Sequence, residues 1–231
     1  MSSSSHTFGA RRQSVLQLWA TRVLSALSIT LLVGQLLGCA LTGKADLIGI
    51  RYFEPEAPHP NPSARAPLAP GAAPIELQIG RVTASAYLKS RLVYRTSKLE
   101  LGAYDDRQWT ERPEEYLRRY ASAALFEGRG LEHALSGDAP MLDLELAAFE
   151  EIHIGDKSTA RVQIRYVLHD EHSVWSTDTI TVEKPTRGGS QNAEDVVEAM
   201  SEALASATTT LADEVEARLR QPPVETAPPP N

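Results

Sequence analysis

The chain has 231 residues with a formal charge of −7, and its only cysteine is Cys39. A single cysteine rules out an internal disulfide framework or a cysteine-based zinc site. The acidic balance, with no block of basic residues longer than Arg118-Arg119 in the body of the chain, argues against nucleic acid and against tight electrostatic docking on anionic headgroups.

The first feature in chain order is an export signal. Arg11, Arg12 and Arg22 precede an apolar run from Val23 to Leu37 that is too short and too rich in small residues for a spanning helix. It ends in Leu36-Leu37-Gly38-Cys39, the pattern a bacterial lipoprotein peptidase requires. Cleavage before Cys39 leaves 193 residues and removes three arginines and no acid, which takes the charge from −7 to −10. The thiol and new amine of Cys39 then carry acyl chains, and several chains hold a protein to a membrane where one does not. The competing reading is an uncleaved anchor with an incidental cysteine. Ala40, in place of an aspartate, points to outer-membrane sorting, and the residues after Arg11-Arg12 fit ordinary secretion better than the twin-arginine route.

Proline punctuates the chain beyond Cys39. Seven prolines fall between Pro55 and Pro74, and a second Pro-rich run spans Pro222 to Pro230. The expected organisation is a signal peptide (1–38), a lipidated N-terminus and extended Pro-rich tether (39–74), a folded domain (75–221) and a Pro-rich tail (222–231).

Inside the folded part, Ile75, Leu77 and Ile79 alternate with polar residues as a half-buried strand does. Arg91 to Thr96 and Lys98 to Ala103 read as two short strands or one bent one. A helix is predicted from Pro113 to Glu127, opened by proline and acids and striped by Tyr116, Leu117, Tyr120, Ala121, Ala124 and Leu125, with Gly128 as its stop. Leu142, Leu144 and Leu146 alternate, then the phase slips to Phe149, which predicts a bulge near 147–150. Turns at Gly155-Asp156 and Asp170-Glu171-His172 separate two further strands, Ala160 to Leu168 and Val174 to Val182. A final helix, capped by Asn192 and running to about Arg220, carries the stripe Val197, Met200, Leu204, Ala207, Leu211 and Val215. At roughly 42 Å it is long for so small a domain, so its far end is expected to project beyond the sheet or to meet a partner. The expected fold is α+β: a two-layer sandwich of a largely antiparallel sheet with both helices on one face, in the order βββαβββα.

No pattern for catalysis emerges. There is no Gly-x-Ser-x-Gly elbow and no phosphate-binding loop, and Gly128-x-Gly130 is too short a fragment to serve as one. His169 and His172 flank Asp170-Glu171 in a turn, where polar residues are the default and a metal is not required. The pairs Asp105-Asp106 and Glu150-Glu151 are adjacent, so an extended backbone sends their side chains apart, and solvated acids are expected in place of an acid/base dyad. No metal and no cofactor is expected beyond the covalent lipid on Cys39.

The segment Tyr87-Leu88, Leu92-Val93-Tyr94-Arg95-Thr96-Ser97, Leu99-Glu100-Leu101, Tyr104, Trp109, Glu111, Pro113 and Leu117 resembles the core of the ABC-type transport auxiliary lipoproteins, the PqiC-like family. The lipobox, Arg51-Tyr52-Phe53 before a proline, the acidic-apolar strand ending at Phe149 and the long C-terminal helix fall in that family's order. The resemblance implies a lipid-anchored periplasmic partner, on the outer membrane, of an inner-membrane ABC permease, its ATPase and a mammalian-cell-entry (MCE) domain protein. Its expected cargo is phospholipid or another hydrophobic molecule moving between membranes. The family carries no catalytic residues over. An outer-membrane assembly lipoprotein, serving a barrel or a lipopolysaccharide translocon, and an envelope enzyme are the other classes considered, and a homo-oligomer is compatible with all three. Tyr94, Arg95, Tyr104 and Trp109 are the candidate partner surface, because aromatics and arginine dominate binding hot spots. The alternative for Trp109 is burial where the first helix meets the sheet, and for Arg95 a pair with Glu100 or Asp105.

Overall fold

A computed structural model describes residues 49–56, 58, 74–135, 137–155, 157–188 and 192–221. The signal, Cys39, Ala40, most of the Pro-rich stretch and the tail from 222 lie outside the described residues. The described residues belong to one compact unit.

Among the described residues, eight strands and two α-helices run in the order β1 (Arg51–Phe53), β2 (Glu76–Ala84), β3 (Arg91–Arg95), β4 (Leu101–Trp109), α1 (Pro113–Ser122), β5 (Glu132–His133), β6 (Met141–Ile154), β7 (Lys157–His169), β8 (Val174–Pro185) and α2 (Ala193–Leu219). The α+β class holds, with the expected order extended by two short strands, β1 and β5. Two or three residues cannot show an alternating pattern, so only pairing partners define such strands. The long ladders β6·β7 and β7·β8 are antiparallel, as is β3·β4. Parallel pairs join β1 to β4, β2 to β5, and both β2 and β3 to β6.

β6 organises the sheet. β2 and β3 lie end to end along one edge of it, β2 beside Met141–Leu146 and β3 beside Glu150–Ile152, while β7 covers the other edge. The predicted bulge sits where the neighbour changes, between Leu146 and Ala148. A bulge leaves a carbonyl without its ladder partner. Here the Ala147 carbonyl accepts from the Ser85 hydroxyl (3.0 Å) and the Tyr87 hydroxyl (2.9 Å), both on the link between β2 and β3.

Both helices pack on one face of this sheet, over Leu142, Leu146, Phe149, Val162, Ile164 and Leu168, all fully buried. The buried face of α2 includes every residue of the predicted stripe. Asn192 caps it by accepting from the Glu194 N–H (3.2 Å). Ser201 and Thr208, buried on the same face, return their hydroxyl protons to the Val197 and Leu204 carbonyls (2.9 Å each), so neither leaves an unmet donor against the core. The far end of α2 does not project: the Tyr166 hydroxyl donates to Glu214 (2.9 Å) and Arg218 to the Trp175 carbonyl (2.9 Å). No helix among the described residues is long and apolar enough to cross a membrane.

The first helix also ends differently from expectation. Its α-helical bonding stops at Ser122, and Ala123–Gly128 widen into a π-helical turn. That turn delivers Arg129 to Asp213 and Glu216 of α2.

The folded region begins earlier than residue 75. β1 lies on β4, Pro55 is buried, the Glu56 N–H donates to the Ser201 hydroxyl (3.1 Å) and its carbonyl accepts from Tyr120. The Pro-rich stretch therefore joins two strands of one sheet. Both its ends are fixed in the domain, so it cannot act as the membrane tether.

Candidate functional site

The four residues expected to form a partner surface come from β3 and β4, but they do not meet on one face. Trp109 is buried, stacked on Phe149 (4.9 Å between centroids) and edge-on to Tyr116 (5.8 Å), so it belongs to the core and not to a surface. Tyr94 and Tyr104 share the helix-bearing face, toward the end where β3 and β6 finish. Arg95 is on the opposite, open face.

Glu150 and Glu151 account for that division. Both are fully buried, which corrects the expectation of solvated acids. Alternation does send them to opposite faces, and each gathers its own partners.

On the open face, Glu150 receives Arg95 through Nε (2.9 Å) and the terminal nitrogen (3.2 Å), and also Arg161 of β7. Arg95 thus reaches across to β6, not to Glu100 or Asp105. Those acids are engaged elsewhere: Glu100 accepts from the Thr96 hydroxyl (2.6 Å) and Asp105 from Arg91 (2.9 Å). One carboxylate therefore ties β3, β6 and β7 together. Burial alone would raise its pKa, but the two guanidiniums outweigh burial and hold it below the usual 4.5. The Tyr87 phenol, 3.4 Å away, is pushed up by burial and by the charge of Glu150.

On the helix-bearing face, Glu151 meets hydroxyls and a histidine ring in place of guanidiniums. It accepts from the Tyr104 hydroxyl (2.7 Å) and the Ser158 hydroxyl, with His153 Nε2 at 3.1 Å. Tyr94 stacks on the His153 ring (5.2 Å, 8° between planes) and leans on Tyr104 (4.8 Å). The Arg107 guanidinium lies over the Tyr104 ring at 3.9 Å. Tyr94 has room because it crosses Gly102, its register partner on β4. A β-carbon there would stand 2.6 Å from the tyrosine hydroxyl.

This arrangement does not match a nucleophilic site. Ser158 donates to Glu151, but both are buried and out of a substrate's reach, and burial with Glu151 raises the Tyr104 pKa, keeping the phenol a donor. The hairpin between β7 and β8 is likewise an ordinary polar turn. Asp170 accepts from the His172 N–H (2.7 Å), the Ser173 N–H (2.6 Å) and the Trp175 indole (2.8 Å), bonds that hold its carboxyl down to about 2, while His169 lies 3.7 Å from Asp143.

Adjacent acids a few residues past a bulge were visible in the sequence. What made them buried, Arg161 and Ser158 on the neighbouring strand, needed the β6·β7 register.

Comparison with known proteins adds a family and a fold. The family described as "ABC-type transport auxiliary lipoprotein component" matches residues 58–212. Among solved structures, a Xanthomonas campestris protein is 20% identical, with a TM-score of 0.60 over 73% of this chain and 95% of its own. An uncharacterized protein is 17% identical, with a TM-score of 0.57 over 72% of this chain and 99% of its own. At such identities these two speak for the fold alone. A search of curated protein sequences finds no match.

Proposed function

The chain belongs to the family of ABC-type transport auxiliary lipoprotein components, and from that premise we propose that it is the lipid-anchored, non-catalytic docking subunit of an envelope transporter. In this reading Cys39 carries the lipid, Ala40 directs it to the outer membrane, and the domain faces the periplasm. Its partners are an MCE-domain protein and an inner-membrane ABC permease with its ATPase, and the cargo is phospholipid or another hydrophobic molecule.

The observation that carries the reading is the family match across the folded domain. The geometry supports it: the most concentrated polar chemistry, around Glu150 and Glu151, is spent on joining strands. Such an interior fixes a rigid surface for another protein to bind.

The anchor is tested with Cys39→Ser. It removes the one thiol able to form the thioether, so radiolabelled fatty acid should disappear from the protein and unprocessed precursor should accumulate. Label retained on the variant overturns the anchor. The partners are tested by in-cell crosslinking from photoreactive residues at exposed positions, Tyr52 on β1 and Thr179 on β8, in variants shown to fold. Capture of an MCE-domain protein or the permease is expected. Capture of barrel-assembly or lipopolysaccharide-export components alone replaces this reading with the assembly-factor one, and turnover of an envelope substrate by the purified domain replaces it with an enzyme.

A further inference from the structure

The exposed aliphatic residues are not spread evenly. At the end of the sheet where β3, β6 and β8 finish and β4 and β7 begin, Leu99 is 98% exposed at the tip of the β3–β4 hairpin and Ile154 70% exposed at the tip of the β6–β7 hairpin. The two hairpins are neighbours, because Arg95 pairs with Leu101 on one side and with Ile152 on the other. Leu101, 37% exposed, and half-buried Ile152 lie on either side of Arg95 on the same face, so aliphatic side chains recur across both hairpins with a guanidinium among them. Exposed lysines, Lys98 and Lys157, flank the tips. A depression of about 450 Å³ opens at the same end among Arg95, Lys98, Ile152, Ile154 and Arg161.

At the opposite end the exposed aliphatics, Leu135 and Val174, are separated by β2, β6 and β7. The turns there carry Asp138, Asp170 and Glu171, whereas the hairpin end mixes Lys98 and Lys157 with Glu100 and Glu183.

The route of the chain singles out the same end. β1 is parallel to β4, whose first residue lies at the hairpin end, so the chain comes into the sheet from that direction. Arg51 sits opposite Arg107, next to Gln108, which pairs with Arg91, four residues before the Arg95 partner of Leu101, so it lies about 13 Å along the sheet from the start of β4. The eleven steps from Cys39 to Ile50 extend at most about 36 Å, enough to reach past the hairpin tips. Since the Pro-rich stretch leaves from β1 and returns to β2, the tether in this reading is the segment 39–50.

We propose that the β3–β4 and β6–β7 hairpin tips rest in the membrane surface to which Cys39 is anchored, with Leu99, Leu101 and Ile154 entering the headgroup region and the lysines meeting lipid phosphates. This rests on the lipoprotein reading above. The three aliphatic side chains are too few to bind a membrane from solution with useful affinity, but anchoring raises their local concentration and makes the contact intramolecular. The consequence is a fixed orientation, with the open sheet face standing roughly upright on the membrane and the acidic end pointing into the periplasm.

The test uses the full mature lipidated chain in vesicles of phosphatidylethanolamine and phosphatidylglycerol. Because the lipid occupies the thiol of Cys39, a cysteine introduced by Leu99→Cys, Ile154→Cys or Val174→Cys is the one free thiol for an environment-sensitive fluorophore. All three positions are exposed, so folding is preserved, and circular dichroism checks it. Emission at 99 and 154 should rise several-fold on reconstitution and be quenched by nitroxide-labelled lipid, with position 174 unchanged. Flotation of the protein with the vesicles is measured first. If the protein does not float, the lipoprotein reading and this proposal both fall. If it floats and 99 and 154 stay silent, or all three respond alike, the orientation alone is overturned. A rise at 99 and 154 in detergent that tracks protein concentration without vesicles identifies a second copy of the chain as the occupant and overturns the membrane contact.

Discussion

Glu150 and Glu151 are neighbours along the chain, equally buried, and held in opposite ways. Glu150 faces two guanidiniums and stands in a charged knot that joins three strands. Glu151 faces two hydroxyls and an imidazole, with aromatic rings closing over them. The comparison teaches that burial of a carboxylate says little until its partners are known: a charge pair removed on one side leaves charges stranded, whereas a hydroxyl network loses only its hydrogen bonds.

The sharpest way to break the comparison is to delete each acid. Glu150→Ala strands Arg95 and Arg161 beside each other and should cost roughly 3 kcal/mol, below the extreme for such pairs because both guanidiniums keep about a quarter of their surface in water. Glu151→Ala should cost about 1–2 kcal/mol, the worth of its hydrogen bonds from the Tyr104 and Ser158 hydroxyls. Urea unfolding of both variants measures the difference, and equal losses would show that the charge of Glu150 brings nothing beyond its hydrogen bonds.

Acid tests the charge of Glu150 on its own. The folded-state pKa of Glu150 lies below its ordinary 4.5, so its contribution is present above that value and is lost as pH falls below 4.5 through the folded pKa. The urea midpoint of the wild type should therefore drop below pH 4.5, and Glu150→Gln should show a shallower drop over that range.

A smaller effect is expected on the aromatic side. Gly102→Ala places a methyl group against the Tyr94 ring and should cost about 1–2 kcal/mol as the ring leaves its stack on His153. In a Tyr94→Ala background the same substitution should be close to neutral, and a double-mutant cycle reads the difference.

Much of the fold was legible because periodicity is a local property. The stripe of α2, the alternation of β6 and β7, the bulge after Leu146 and the Asn192 cap all arise from residues close together in the chain. The candidate surface was legible only in part. Tyr94 and Arg95 were noticed together as neighbours, yet neighbours on a strand point to opposite faces, and Trp109 lies in the core because Phe149 and Tyr116 surround it.

The sequence by itself determined the acidic character, the two amphipathic helices and the half-buried strands, since each is written in composition or short-range spacing. Tertiary structure alone decided three things. It brought Arg161 and Ser158 to the two glutamates through the β6·β7 register, and it ended α1 in a π-helical turn that sends Arg129 to α2. It also turned the proline-rich stretch from a tether into a connection between strands, because β1, paired with the distant β4, is too short to leave a pattern and depends on a partner that only the folded sheet supplies.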